Sequence, residues 1–237
     1  MSTPEHAPEA DPGARRVAVR VTKDALRRIR GGHPWVFDGS VTSVRPEGRT
    51  GDLAVIFDDR RRFRAIGLYD PASPIRVKVL HQGEPTPVDG DFFERQLRTA
   101  LERRAPLVAS DHTTGYRWVS GENDGLPGLV VDRYADTIVV KVYTAAWFPH
   151  LTPVVGAISR VVDADRVVLR LARSVEPPDS PLFDCPLVDG AALLGDLPDG
   201  PVRFLEHGLR FEADVVHGQK TGHFLDKRDN RLLVRGR

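Results

Sequence analysis

Between Gly218 and Arg231 the chain reads GQKTGHFLDKRDNR, and six residues later, at Arg237, the sequence stops. Gly218 and Gly222 permit a close backbone approach to a ligand. A helix starting near Phe224 would present free N–H groups to an anionic group such as a carboxylate. Asp226 falls in its first turn, where the helix dipole favours a negative charge. Arg228 and Arg231 are three apart, share a face, and are chemically suited to a phosphate or a carboxylate. The segment does not spell a nucleotide-triphosphate loop. That loop needs G-x-x-x-x-G-K-[ST], and here Gln219 separates Gly218 from Lys220 while position 214 is Asp. A capped surface helix with local ion pairs fits the same residues.

Other chemistry-bearing residues carry weaker signals. Glu122 and Asp124 in GENDG form a candidate carboxylate pair, but Asn and Asp in so dense a turn are more simply explained by turn geometry. The eight histidines show no metal-ligand spacing, and His217 and His223 read as ordinary polar surface residues. The single cysteine, Cys185, excludes an internal disulfide and a cysteine-based zinc site within one chain. Its context, PLFDCPLVDG, matches no nucleophile motif. No metal site is expected.

The 237 residues are 41% hydrophobic and 28% charged, with a formal net charge of +1. That is ordinary for a globular protein. The charge is unevenly distributed. Residues 15–37 hold seven Lys or Arg against Asp24 alone, and residues 217–237 hold six against two Asp. Two basic islands in a near-neutral chain suit a polyanion, although either alone also fits a solvated helix face. Within the first island Arg20, Lys23, Arg27, Arg28 and Arg30 are the candidate polyanion contacts, with His33 and Trp35 able to stack or pack. Residues 1–14 contain Glu5, Glu9 and Asp11 and no Lys or Arg, and are expected to be a disordered tail without signal-peptide character. No apolar run is long enough to cross a membrane, and a cytoplasmic location is the simplest reading.

The elements that must position these residues follow from periodicity and punctuation. RRVAVRV (15–21) alternates as a strand. KDALRRIRGG is a short helix, with Thr22 as N-cap and the glycine pair as its stop. VTSV, DLAVIFD, FRAIGLY and IRVKVLH are short strands that complete a β-rich unit over residues 15–84. GEPTPVDG is a linker by composition. DFFERQLRTALERRAPL is helical, with Asp91 as its cap and Glu94 completing a capping box. Phe93, Leu97, Ala100 and Leu101 share its apolar face. YRWVS, LVVDRY, TIVVKVYT and RVVLRL are strands of a second unit, residues 85–215, with a helix near 150–162. The stretch 173–200 is expected to be loop, and VRFLEHGLRFEADV folds as a hairpin on His207-Gly208.

Three ordered segments resemble one family. LRRIRGGHPWVFDGSV (26–41) is similar to the start of the PUA domain of the bacterial 23S ribosomal RNA cytosine-5 methyltransferases that use S-adenosylmethionine. RWVSGENDGLPGLVVDRYADTIVVKV (117–142) resembles their central domain. EHGLRFEADVVHGQKTGHFLDKRDNR (206–231) resembles the junction into their methyltransferase fold. Two departures are His223, where the family favours an aromatic, and Lys227, where it favours Gln.

The resemblance implies an α+β chain with three parts: a PUA-like RNA-binding domain, a mixed α/β central domain, and, from 216 to 237, only the entry element of a Rossmann-like domain. It implies that Gln219, Lys220, Thr221, Gly222, Phe224, Asp226, Arg228 and Arg231 form one wall of the cofactor pocket. Catalytic residues are expected beyond Arg237, since no Gly-rich strand-to-helix turn occurs in the chain. The chain then corresponds to the N-terminal and middle portion of such an enzyme, inactive alone. In the intact enzyme a thiolate would attack C6 of an unstacked cytosine, and C5 would take the methyl group. Ribosomal RNA is the implied partner, and a dimer is left open. A non-catalytic PUA-type RNA-binding protein remains the alternative. With little for Phe224, Leu225, Leu232 and Leu233 to bury against, residues 218–231 are expected to be poorly anchored.

Overall fold

A computed structural model describes residues 15–177 and 186–235. The expected tail at 1–14 and Cys185 lie outside the described residues.

The first unit is a six-stranded sheet in the order β2-β6-β5-β4-β1-β3. Its strands are β1 (Arg16–Val21), β2 (Trp35–Phe37), β3 (Val41–Arg45), β4 (Leu53–Phe57), β5 (Phe63–Tyr69) and β6 (Ile75–Gln82). β1 alternates Val17, Val19 and Val21 inward with Arg16, Ala18 and Arg20 outward, the period-2 pattern of a strand with one buried face. Helix α1 (Lys23–Arg30) starts where the Thr22 hydroxyl accepts from the Ala25 N–H. It buries Ala25, Leu26 and Ile29 against Val17, Val19, Ile56 and Val77 on one face of the sheet. Its arginines therefore face solvent. β2 was not anticipated: it is three residues long and follows the glycine stop and Pro34, so no alternation can develop.

The second unit is a five-stranded sheet, β11-β10-β9-β8-β7. β7 (Gly115–Ser120), β8 (Leu129–Tyr134) and β9 (Thr137–Val142) form an antiparallel meander. α4 (Leu151–Val161) then crosses over to β10 (Arg166–Leu171), which runs parallel to β9. A parallel neighbour requires such a crossover. β11 (Ala192–Leu194) lies within the stretch expected to be loop and pairs with the edge of β10. α2 (Gly90–Glu102) packs with α4 on one face, burying Phe92, Phe93, Leu97 and Ala100. Its cap is Asp89, whose carboxylate accepts from the Phe92 N–H at 2.9 Å, and not Asp91. Glu94 is drawn instead to Arg98 and Arg160, two guanidinium partners outcompeting one backbone N–H. A separate short helix, α3 (Ala105–Val108), follows.

The two sheets share a core. Leu53, Ile66, Leu68 and Leu80 from the first sheet join Phe93, Trp118, Trp147 and Leu151 in one apolar cluster. Polar contacts lock the same boundary. Thr144 donates to Asp70 at 2.6 Å, Lys78 donates to the same carboxylate at 3.2 Å, and His150 Nε2 lies 2.8 Å from the Gly51 carbonyl. Burial holds Lys78 and His150 below their usual pKa values.

The hairpin of β12 (Val202–Glu206) and β13 (Leu209–Ala213) covers part of the opposite face of the second sheet. Phe204 and Val215 pack there on Tyr134, Val139 and Val168. A 3-10 turn over Leu225–Lys227 and helix α5 (Arg228–Arg235) follow it, so the helix begins four residues later than expected. No helix among the described residues is long and apolar enough to cross a membrane, and no group of three potential metal ligands occurs among them.

Candidate functional site

Asp132 in the middle of β8 is completely buried. A carboxylate there must be paired. Arg117 of β7, directly opposite it in the ladder, clamps it with two bonds of 2.9 and 3.0 Å. A third donor comes from the 218–224 loop, where the Thr221 hydroxyl donates to Asp132 at 2.5 Å. With its proton so committed, Thr221 accepts from the Tyr134 hydroxyl at 2.9 Å. Burial, and then the Asp132 charge, push the Tyr134 phenol well above its ordinary pKa, keeping it a donor. One loop threonine thus closes an Arg117–Asp132–Thr221–Tyr134 chain that pins the loop to the sheet.

Three further contacts fix the segment. The Arg170 guanidinium, itself buried, donates to the carbonyls of Gly218 at 2.8 Å and Val215 at 3.3 Å. Lys141 of β9 donates to the Lys220 carbonyl at 2.9 Å. Arg231 grips the buried carboxylate of Glu206 with bonds of 2.7 and 2.6 Å and donates to the Phe224 carbonyl. Leu225 is buried in the cluster with Phe204 and Val215. The expectation of a poorly anchored segment is therefore corrected: buried Asp132 and Glu206 supply its partners. Only the end of α5 fits it, since Leu233 is 71% exposed.

The glycines serve the chain's own turn. A Cβ on Gly218 would sit 2.3 Å from the Asp214 carbonyl oxygen, and Gly222, at φ +119°, would meet the same oxygen at 2.9 Å. Asp214 accepts from the N–H groups of Val216 and His217, which hold its pKa below the usual range. His223 is half-buried, not an ordinary polar surface residue. Its ring sits 5.2 Å from Phe204 and 5.1 Å from Phe211, with Nε2 buried and without a hydrogen-bond partner.

Of the eight residues expected to line a cofactor, Thr221 and Arg231 are thus engaged inside the protein, and Gly222 sits in the turn. Arg228 is half-buried, with its Nε lacking a hydrogen-bond partner. Gln219, Lys220, Phe224 and Asp226 are exposed, with the Lys220 ammonium 5.6 Å from the Phe224 ring centroid.

The basic island is built differently. Arg20, Lys23, Arg27, Arg28 and Arg30 are all exposed on β1 and α1. Their acidic neighbour Asp24 pairs with Arg27, and with Arg28 at 2.8 Å. His33 and Trp35 are half-buried, edge to face at 6.0 Å. The Trp35 indole donates to Glu122 at 3.0 Å, linking the island to the second unit. Glu122 and Asp124 are not a catalytic pair: Asp124 is buried and held by Arg103, Arg104 and the Ser120 N–H. The 3-10 turn they occupy ends at Gly125 in the left-handed region.

Residues 19–82 match the model of a PUA-like domain family. The chain is 50% identical over 227 residues to a ribosomal RNA large subunit methyltransferase of Deinococcus radiodurans, across 94% of this chain and 55% of that protein. It is 32% identical over 223 residues to ribosomal RNA large subunit methyltransferase I of Pseudoalteromonas translucida, across 92% and 54%. Among solved structures, a Streptococcus mutans protein described as a SAM-dependent methyltransferase superposes with a TM-score of 0.73 at 17% identity, over 90% of this chain and 52% of that one. Another, described as a methyltransferase and solved with SAH, gives 0.73 at 18% identity, over 92% and 52%. These two likenesses establish a shared fold. The chain carries a PUA-like domain in a mixed α/β architecture and is a relative of the ribosomal RNA large subunit methyltransferases, of which it spans about half the length.

Proposed function

We propose that the chain supplies the RNA-holding and central parts of an S-adenosylmethionine-dependent methyltransferase acting on C5 of a cytosine in 23S ribosomal RNA. The division is a PUA-like RNA-binding domain (15–84), a central domain (85–215) and a junction (216–237). The observation that carries the reading is the 218–231 segment. Thr221 and Arg231 fasten it to buried carboxylates, and this leaves Gln219, Lys220, Phe224 and Asp226 exposed along the anchored segment. An amide, a cation, a ring face and a carboxylate suit the carboxylate, ammonium and nucleoside parts of S-adenosylmethionine, and a structural neighbour of the same fold was solved with SAH.

When bound, the cofactor supplies an electrophilic methyl group. Lys220 and Asp226 would hold its charged amino-acid end, and Phe224 would shield it from water. Thr221, Gly222, Arg228 and Arg231 would keep that segment in place. The exposed cations Arg20, Lys23, Arg27, Arg28 and Arg30 would hold RNA phosphates, with His33 and Trp35 beside them.

One edge of a pocket immobilises no ligand, so the chain alone is expected to transfer no methyl group. Incubation with labelled cofactor and 23S ribosomal RNA should give background incorporation, while the same preparation binds the RNA in a salt-dependent manner. Stoichiometric transfer to one cytosine would show that the junction is a complete site. Loss of RNA binding at low salt would remove the RNA-holding role.

A further inference from the structure

The face of the second sheet that carries Asp132 and Tyr134 is only partly covered by the β12–β13 hairpin. Beside the covered part lies a groove of about 320 Å³, lined by Ser120, Glu122, Asn123, Val130 and Tyr143 among others. That volume falls at the low end of the roughly 300–1,000 Å³ of small-ligand sites and suits one flat group, not a duplex. Tyr143, immediately after β9, is 48% exposed. Its backbone is fixed by a 2.9 Å bond from its N–H to the Gly128 carbonyl, so the ring is presented from a rigid base. The Lys141 ammonium lies 5.6 Å from the ring centroid and also donates to the Lys220 carbonyl. Burial and the Arg170 charge depress the pKa of Lys141. Glu122 and Asn123 line the same groove and bring side-chain acceptors and a donor to it, and Glu122 is the residue that Trp35 holds.

A presented aromatic ring, an adjacent cation and hydrogen-bonding side chains lining a small groove are the parts with which proteins take unpaired nucleotides. We propose that this groove binds a single unpaired nucleotide of RNA, with its base stacked on Tyr143, its edge read by Glu122 and Asn123, and its phosphate drawn to Lys141. The groove is tied on one side to β2 of the first unit, where Trp35 holds Glu122, and on the other to the 218–224 loop, where Lys141 holds the Lys220 carbonyl. It rests on the RNA-binding reading above and adds a base-stacking contact that phosphate binding does not require.

The test is equilibrium binding of the whole chain to an unpaired RNA of about 12 nucleotides and to a duplex of the same length, for the wild type, Tyr143→Ala and Tyr143→Phe. Stacking on one aromatic ring accounts for about 5- to 150-fold in affinity. Tyr143→Ala should lose a factor in that range for the unpaired RNA, with an unchanged salt slope and little change for the duplex. Tyr143→Phe, which keeps the ring, should stay within about twofold. Because Tyr143 is half-exposed, both variants should keep the wild-type melting temperature. Photocrosslinking with 4-thiouridine-substituted RNA should place the adduct on Tyr143 or its groove neighbours. Wild-type binding that Tyr143→Ala leaves unaltered would overturn the groove but not the RNA-binding role. A wild-type chain that binds neither RNA would overturn both.

Discussion

The two basic islands look alike in the sequence and differ in the structure at one arginine, Arg231. On α1 and β1 the cations point outward, and their nearest acid, Asp24, is itself on the surface. In the junction Arg231 points inward and closes on buried Glu206, while Lys220 and Lys227 stay exposed; Arg170 of β10 and the Thr221 hydroxyl add bonds to the loop carbonyls and to buried Asp132. A pair of exposed side chains is weak and easily exchanged for another partner, so the first island keeps its charge available to a polyanion. A buried carboxylate cannot release its partner without being left unpaired, so in the second island Arg231 uses its charge to hold its own backbone. Charge density in a sequence therefore does not distinguish a binding surface from a clamp; the burial of the opposite charge does.

The largest expected effect breaks the clamp. Asp132→Ala strands the Arg117 guanidinium, the Thr221 hydroxyl and the Tyr134 donor behind it. Removing one member of a buried pair typically costs about 3–5 kcal/mol. Denaturant unfolding should show a loss of that size, with fast amide exchange over residues 218–225. Glu206→Ala should act the same way over residues 224–231, because Glu206 is buried and Arg231 holds it with two bonds. If either variant melts with the wild type, the junction is not clamped as described.

Substitution in the other island should separate binding from stability. Arg27→Ala, Arg28→Ala and Arg30→Ala combined remove three exposed cations, and exposed sites of this kind change stability by about 0.5 kcal/mol or less each. RNA affinity should fall, and the slope of log affinity against log salt should flatten by about 2 to 3. An unchanged slope would move the phosphate-holding surface elsewhere. A melting temperature that falls as far as in Asp132→Ala would erase the contrast between the islands.

Much of this architecture was legible because it is written locally. Alternation in RRVAVRV, the Thr22 cap and the β-branched run TIVVKV each carry their own signal, and each appears as read. The misses share a cause, which is competition from distant partners. Asp91 sits well for a cap, but Asp89 takes it while Arg98 and Arg160 capture Glu94. β11 is three residues that pair only because the β10 edge is open to them. At the candidate site, Thr221 reads as one more loop hydroxyl, and its partners lie 87 and 89 positions away. One signal was present: Asp132 interrupts the apolar run LVVDRY inside a strand that must be buried, and a buried acid demands a partner. It named the need for a cation and a donor without naming Arg117 or Thr221.

The smallest expected effect lies inside the clamp itself, at His223. Its ring packs against both Phe204 and Phe211, which stack on each other, with Nε2 buried and unpartnered. Burial, and then the Arg231 charge, hold its pKa below the ordinary value of 6.5, against a smaller upward pull from Glu206. A folded-state pKa below the unfolded one means that the unfolded chain binds the proton more readily. The contribution of neutral His223 is therefore complete above about pH 6.5 and is lost as the pH falls through its lowered folded value. His223→Phe keeps a ring among the rings and removes both the unpartnered nitrogen and the titration. It should raise stability at neutral pH by about 1 kcal/mol and make the junction less sensitive to acid, while leaving RNA binding by α1 unchanged. Melting curves collected between pH 5 and pH 8 for the two proteins should diverge toward the acid side. Parallel curves across that range would mean that His223 is solvated in the folded protein, and the junction would then be looser around Phe204 than the clamp requires.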